Sequence, residues 1–170
     1  YFAWLKERST AGLIEFWNHG YRFRFTPNPA RGEKGEFNGT TAEAQAQSIG
    51  RTQQLAKERI GVALRGFGPH SSAVDASTFT QLDGFPEIRY AWFYGPVDQA
   101  THQATVVKRP TELEVPIFHP NFDAFLKTFN KRDRSLGYIA LQGHPNEWDD
   151  TGFDAFTRIV LWLKNQGSPF

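Results

Sequence analysis

The chain contains no cysteine, so it has neither a disulfide framework nor a thiolate, and any metal must be held by histidine or carboxylate. It contains no methionine and opens on Tyr1-Phe2-Ala3-Trp4, which leads us to expect further sequence before Tyr1. It lacks an excess of one charge. The 19 Lys and Arg stand against 18 Asp and Glu, interleaved along the chain, which leaves no basic stripe for phosphates and argues against a nucleic-acid partner. Long apolar runs are missing too, so the chain reads as soluble and without a membrane span, and no signal peptide follows Tyr1. The compartment stays open between cytoplasm and cell envelope.

What is abundant is aromatic. With 16 Phe, 5 Trp and 5 Tyr, the 170 residues can build the core of one domain spanning 1–170. Short β-prone runs alternate with helical ones, the pattern of parallel α/β units. Residues 13–17 read as a buried strand, and residues 26–39, with three glycines and two prolines, as a long loop. Thr40 and Glu43 are spaced as a capping box for a helix over 42–60, with Ala42, Ala46, Ile49, Ala56 and Ile60 on one face and Gly61 as its stop. Strands are expected over 62–67, 88–94, 105–107, 113–118 and 136–141, and helices over 75–82 and after Asn121, where Phe122, Phe125, Leu126 and Phe129 hold helical spacing. A last helix begins near Asp149, takes Thr151 and Asp154 as its box, and buries Phe153, Phe156, Val160 and Leu163. Trp4 and Trp162 read as core.

In parallel sheets the site lies at the carboxyl ends of strands. That rule selects Asn18-His19, the stretch from Arg65 to His70, the Tyr94-Gly95 turn, and Gln142-Gly143-His144. His19 and His144 each follow an apolar run directly. An imidazole there either binds metal or moves protons, or is a hydrogen-bonded structural histidine, and neither His has a metal partner at short spacing. Trp17, Tyr21, Trp92, Tyr94 and Trp148 lie near strand ends, where an aromatic face suits the C–H face of a sugar or packs in the core.

Several strings are more specific in combination. Glu15-Phe16-Trp17-Asn18-His19-Gly20-Tyr21 is similar to an E-I-x-N-H-x-Y segment. Gly35-Glu36-Phe37-Asn38-Gly39, then Glu43-Ala44-Gln45 and the helix with Ile49 and Thr52-Gln53-Gln54-Leu55, follow in the same order. Arg65-Gly66-Phe67-Gly68-Pro69 is similar to an R-x-P-x-G motif, and Leu141-Gln142-Gly143-His144-Pro145 with Trp148 to a late L-x-x-H-P segment. Together they resemble the polysaccharide deacetylase superfamily, the relatives of carbohydrate esterase family 4, over nearly the whole chain.

The resemblance implies a distorted (β/α) barrel of the polysaccharide deacetylase type, incomplete at its amino terminus, that removes acetyl groups from a polysaccharide or its precursor with a divalent metal, usually zinc. It casts His19 as a metal ligand facing one pocket with His144, the general acid. Arg65 would orient an acidic partner, and the backbone at Pro69 and His70 would lie near the acyl oxygen. Trp17, Tyr21, Tyr94 and Trp148 would contact an acetylated sugar. The chain departs from the pattern in two places. No Asp precedes Asp75, so the T-F-D-D-G motif is missing, and Phe23 stands where a second metal histidine is expected. Three ligands are the usual catalytic set, so zinc affinity is expected to be poor. His70, His102 and His119 are the candidate substitutes. The alternative is an inactive protein of the same fold that binds a glycan or supports envelope polysaccharide synthesis.

Overall fold

The computed structural model describes residues 1–22, 35–92, 102–132 and 135–168. Their contacts divide the chain into two compact units, Tyr1–Val107 and Lys108–Phe170, each described by itself.

The first unit runs α1 (Phe2–Thr10), β1 (Trp17–Asn18), α2 (Ala42–Ile60), β2 (Gly66–Phe67), α3 (Ala76–Leu82), β3 (Tyr90–Trp92) and β4 (Thr105–Val107). The strands form a parallel sheet in the order β1-β2-β3-β4, with Trp17 opposite Gly66, Gly66 opposite Tyr90 and Tyr90 opposite Thr105. Among the described residues this sheet does not close on itself, in keeping with a distorted or incomplete barrel.

Successive strand residues face opposite sides. Asn18, Phe67 and Ala91 turn to a core of Phe37, Ile49, Phe79, Leu82 and Ile88 supplied mainly by α2 and α3. Trp17 and Tyr90 turn the other way and stay about half exposed. The α2 helix is capped by Thr41, whose Oγ1 accepts from Ala44 N at 3.2 Å, rather than by Thr40, which donates to the Glu36 carbonyl at 2.8 Å. It ends at Gly61 in the left-handed conformation, as expected. Its buried face includes Gln45, Ser48 and Gln53, while Ala42 and Ala46 are only half-buried.

Strand pairing is shorter than the apolar runs suggested, because neighbouring groups take up the flanking backbone and side chains. Phe16 packs on Ala56, Ile60 and Leu64 instead of extending β1, and the Gln53 amide donates to the Leu64 carbonyl at 3.0 Å. Conversely, residues 35–39, expected to be loop, are drawn into the fold. Phe37 is buried and bridges to Val74, and Asp75 N donates to its carbonyl at 2.9 Å. Trp4, expected in the core, is half exposed.

The second unit holds α4 (Phe122–Asn130) and α5 (Asp150–Asn165) around a core of Leu113, Phe125, Phe129, Ile159 and Leu163, with Trp162 packed against it. Asn121 caps α4 through Ala124 N, and Asp149 caps α5 through Gly152 N at 2.8 Å, displacing the Thr151 box. Phe153 is exposed and Ile159 takes the buried position. No strand forms over 113–118, where Glu114 bridges to Pro120 around a tight reversal, or over 136–141, whose Ile139 and Leu141 pack on the helical core instead.

Candidate functional site

In the first unit, the carboxyl ends of β1 and β2 bring two histidines into contact. His19 Nδ1–H donates to the Gly68 carbonyl, which leaves Nε2 as its lone-pair nitrogen when the ring is neutral. The His70 ring lies 3.8 Å from it, centroid to centroid, tilted by 47°. Burial and then the neighbouring His19 hold the His70 pKa below the ordinary histidine value, partly opposed by Glu36. Trp17 extends the row, 6.4 Å from the His19 centroid and 5.7 Å from Trp92. Pro69 is buried, and its carbonyl accepts from Ser72 N at 3.2 Å.

Arg65 flanks the amino end of β2, and its acidic partner is Glu15, 2.9 Å away with both side chains more than half exposed. Such a solvent-exposed pair contributes little to stability. Of the substitute ligands, His102 pairs with Asp83 at 2.8 Å before the amino end of β4, and His119 in the second unit donates to the Ile117 carbonyl at 3.1 Å. Tyr94 and Phe23 lie outside the described residues.

In the second unit, His144 is locked onto a carboxylate that the strand reading of 113–118 overlooked. The Glu114 side chain is only 4% exposed, against 30% for His144. Its Oε1 accepts from His144 N at 2.6 Å and Trp148 Nε1 at 2.7 Å, and its Oε2 from His144 Nδ1 at 2.7 Å and Phe118 N at 2.9 Å. Burial raises the Glu114 pKa, but the hydrogen bonds, led by that of His144, outweigh it and leave the carboxyl below its ordinary value. Trp148 is therefore a clamp, bonded to Glu114 and packed on Phe153 and Phe156 at 5.4 and 5.1 Å. Gly143 is required here, since a Cβ would lie 2.7 Å from the indole and 2.8 Å from Leu113. The signal that locates Glu114 is a lone acid inside an apolar stretch two residues before Pro116, which periodicity alone reads as strand.

The fit of a metal is decided by the imidazole pair. Two histidines on one tetrahedral zinc hold their ring centroids about 5 Å apart. At 3.8 Å, His19 and His70 touch each other instead of sharing an ion. Among the described residues no three His, Asp or Glu side chains are grouped to hold a metal, so these residues do not fit the implied ligand set.

No protein-family model matches the chain, and no curated protein matches it in sequence. Solved structures do. The Xyl-CE4 domain of a multidomain xylanase from the hindgut metagenome of Trinervitermes trinervoides superposes with a TM-score of 0.60 at 16% identity, covering 99% of this chain and 65% of that one. The fold is that of the CE4 carbohydrate esterases. A family 4 acetyl xylan esterase from Clostridium thermocellum, solved with a cobalt ion, gives 0.57 at 15% identity over 98% of this chain and 64% of its own. A CE4 family pseudoenzyme from Bacillus anthracis gives 0.59 at 16% identity over 98% and 47%. The chain thus spans about half to two thirds of the CE4 chains it matches. Esterases and a pseudoenzyme superpose equally well, which establishes a divergent, deacetylase-like CE4 fold and leaves activity to the site. Among the described residues no helix is long and apolar enough to cross a membrane.

Proposed function

We propose that the protein removes acetyl groups from a carbohydrate, with His144 moving the proton and Glu114 as its positioning residue. The observation that carries this reading is the buried Glu114 carboxylate bonded to both the backbone N and Nδ1 of His144. Burying a carboxylate is costly unless it is fully hydrogen-bonded, and here it fixes the tautomer and orientation of the imidazole. The Nε2 of such a ring takes a proton from attacking water and returns it to the leaving oxygen or nitrogen. The acetyl chemistry is supported by the CE4 fold and by the acetyl xylan esterase among its neighbours. The reading takes residues 1–170 as one domain, supported by single CE4 chains that match 98–99% of it. The row of Trp17, Trp92 and His19 suits a sugar face. No step is assigned to zinc or to His19 as its ligand, because the imidazole pair does not fit that ligand set.

The test is acetate release from acetylated xylo-oligosaccharides and chito-oligosaccharides. His144→Ala is expected to lower the rate by about 10²–10⁴-fold, the usual contribution of a general acid–base. Glu114→Gln lowers it less and changes its pH profile, an effect that a merely structural carboxylate does not produce. Undiminished release by His144→Ala overturns the assignment. A second reading, an inactive fold that binds glycan or serves envelope polysaccharide synthesis, is favoured by the unfilled ligand set among the described residues. Oligosaccharide binding without acetate release by the wild type selects it.

A further inference from the structure

The α2 helix has a second face that the core does not use. Ala44, Gln47, Arg51 and Gln54 recur at spacings of three and four residues opposite Ile49 and Gln53, and they line a cavity of about 580 Å³ that Tyr21 and Arg22 complete. That volume lies within the range of about 300–1,000 Å³ usual for small-ligand sites.

The two residues after Gly20 are fixed at unusual cost. Glu36 Oε1 accepts from Tyr21 N at 2.8 Å, from Arg22 N at 2.7 Å and from the Ser48 hydroxyl, and Ser48 Oγ accepts from Tyr21 N at 3.1 Å. Glu36 Oε2 is packed so close beneath Gly20 that a Cβ there would lie 2.4 Å from it. Three donors thus occupy the Glu36 oxygen that holds this turn. What the anchored turn presents is an aromatic ring, 45% exposed, and a guanidinium. The Arg51 guanidinium stands 5.9 Å over the Tyr21 ring and donates through Nη1 to Gln54 Oε1 at 3.0 Å, which fixes its plane.

We propose that this cavity is a binding site for an anionic saccharide, in which Arg51 and Arg22 receive the acidic group, Tyr21 receives the C–H face of the ring, and Gln47 and Gln54 receive hydroxyls. A guanidinium fork matches a carboxylate or phosphate group in geometry and charge, and a neutral sugar leaves it unmatched. The inference rests on the carbohydrate reading of the function and names the class of sugar that this chain selects.

The test is calorimetric titration of the wild-type chain with trigalacturonate and with neutral xylotriose at low salt, repeated with glucose 6-phosphate to separate carboxylate from phosphate recognition. Trigalacturonate or the phosphate is expected to bind at least about tenfold more tightly than xylotriose, and this preference weakens with added salt. Arg51→Gln, on an exposed helix face, is expected to abolish the preference while leaving the thermal unfolding midpoint of the chain unchanged. Tyr21→Ala weakens every sugar. Equal binding of acidic and neutral sugars, or an acidic preference that survives Arg51→Gln, overturns the proposal. So does the absence of any binding. Acetate release that persists in that case keeps the esterase reading, and Arg51-dependent binding without acetate release removes only the esterase reading.

Discussion

Glu114 commits both of its oxygens to four donors, and replacing it exposes what each donor loses. Glu114→Ala leaves Phe118 N, His144 N and the Trp148 indole without their acceptor, and is expected to destabilise the fold by about 3 kcal/mol in urea unfolding. The pH dependence has a definite sign. The folded carboxyl ionises below its unfolded value, so its stabilisation is full above that ordinary value and is lost as the pH falls through the lower folded one. Glu114→Gln is expected to flatten that acid limb of the stability curve, and an unchanged limb would contradict the hydrogen-bonded carboxylate. Gly143→Ala addresses the same clamp from outside. Its Cβ displaces the indole, which should shift Trp148 fluorescence and cost about 1–3 kcal/mol.

At the scale of elements, helix starts are held with unequal force. Thr41 makes a single cap bond for α2, and Thr41→Ala is expected to cost about 1 kcal/mol. Asp75 caps α3 through Ser77 N at 3.0 Å and also accepts from the Ser77 hydroxyl, from Gly39 N and from the Gln45 amide. Asp75→Ala is therefore expected to cost more than Thr41→Ala in thermal unfolding, and equal costs would show that the Gly39 and Gln45 links are idle. Burial raises the Asp75 pKa, but its hydrogen bonds lower it further, so this difference should also shrink as the solution is acidified. The starts of α2, α3, α4 and α5 were legible from spacing to within one or two residues, although the caps of α2 and α5 fall on Thr41 and Asp149 rather than on Thr40 and Thr151. The polar core positions were not legible. Gln45, Ser48 and Gln53 are buried because each meets a partner distant in sequence, Asp75, Glu36 and the Leu64 carbonyl, and no periodicity announces such a partner.

For the whole molecule, the question of metal depends on what folding brings together. The His19–His70 contact predicts that inductively coupled plasma mass spectrometry finds no zinc that is lost on His19→Ala, and one zinc per chain lost in that variant would overturn the reading of the pair. The sequence by itself determined the parallel α/β pattern, the long helices and the motif order that resembles the deacetylases. These follow from local spacing, caps and strings of residues, and the superposition on CE4 structures agrees with them. Only the tertiary structure decided how far each strand pairs and which histidine meets which partner. His19 turns out to pair with a carbonyl and a second imidazole, and His144 with an acid thirty residues away. Such partners are set by the packing of segments remote in sequence, whose geometry local propensity does not encode.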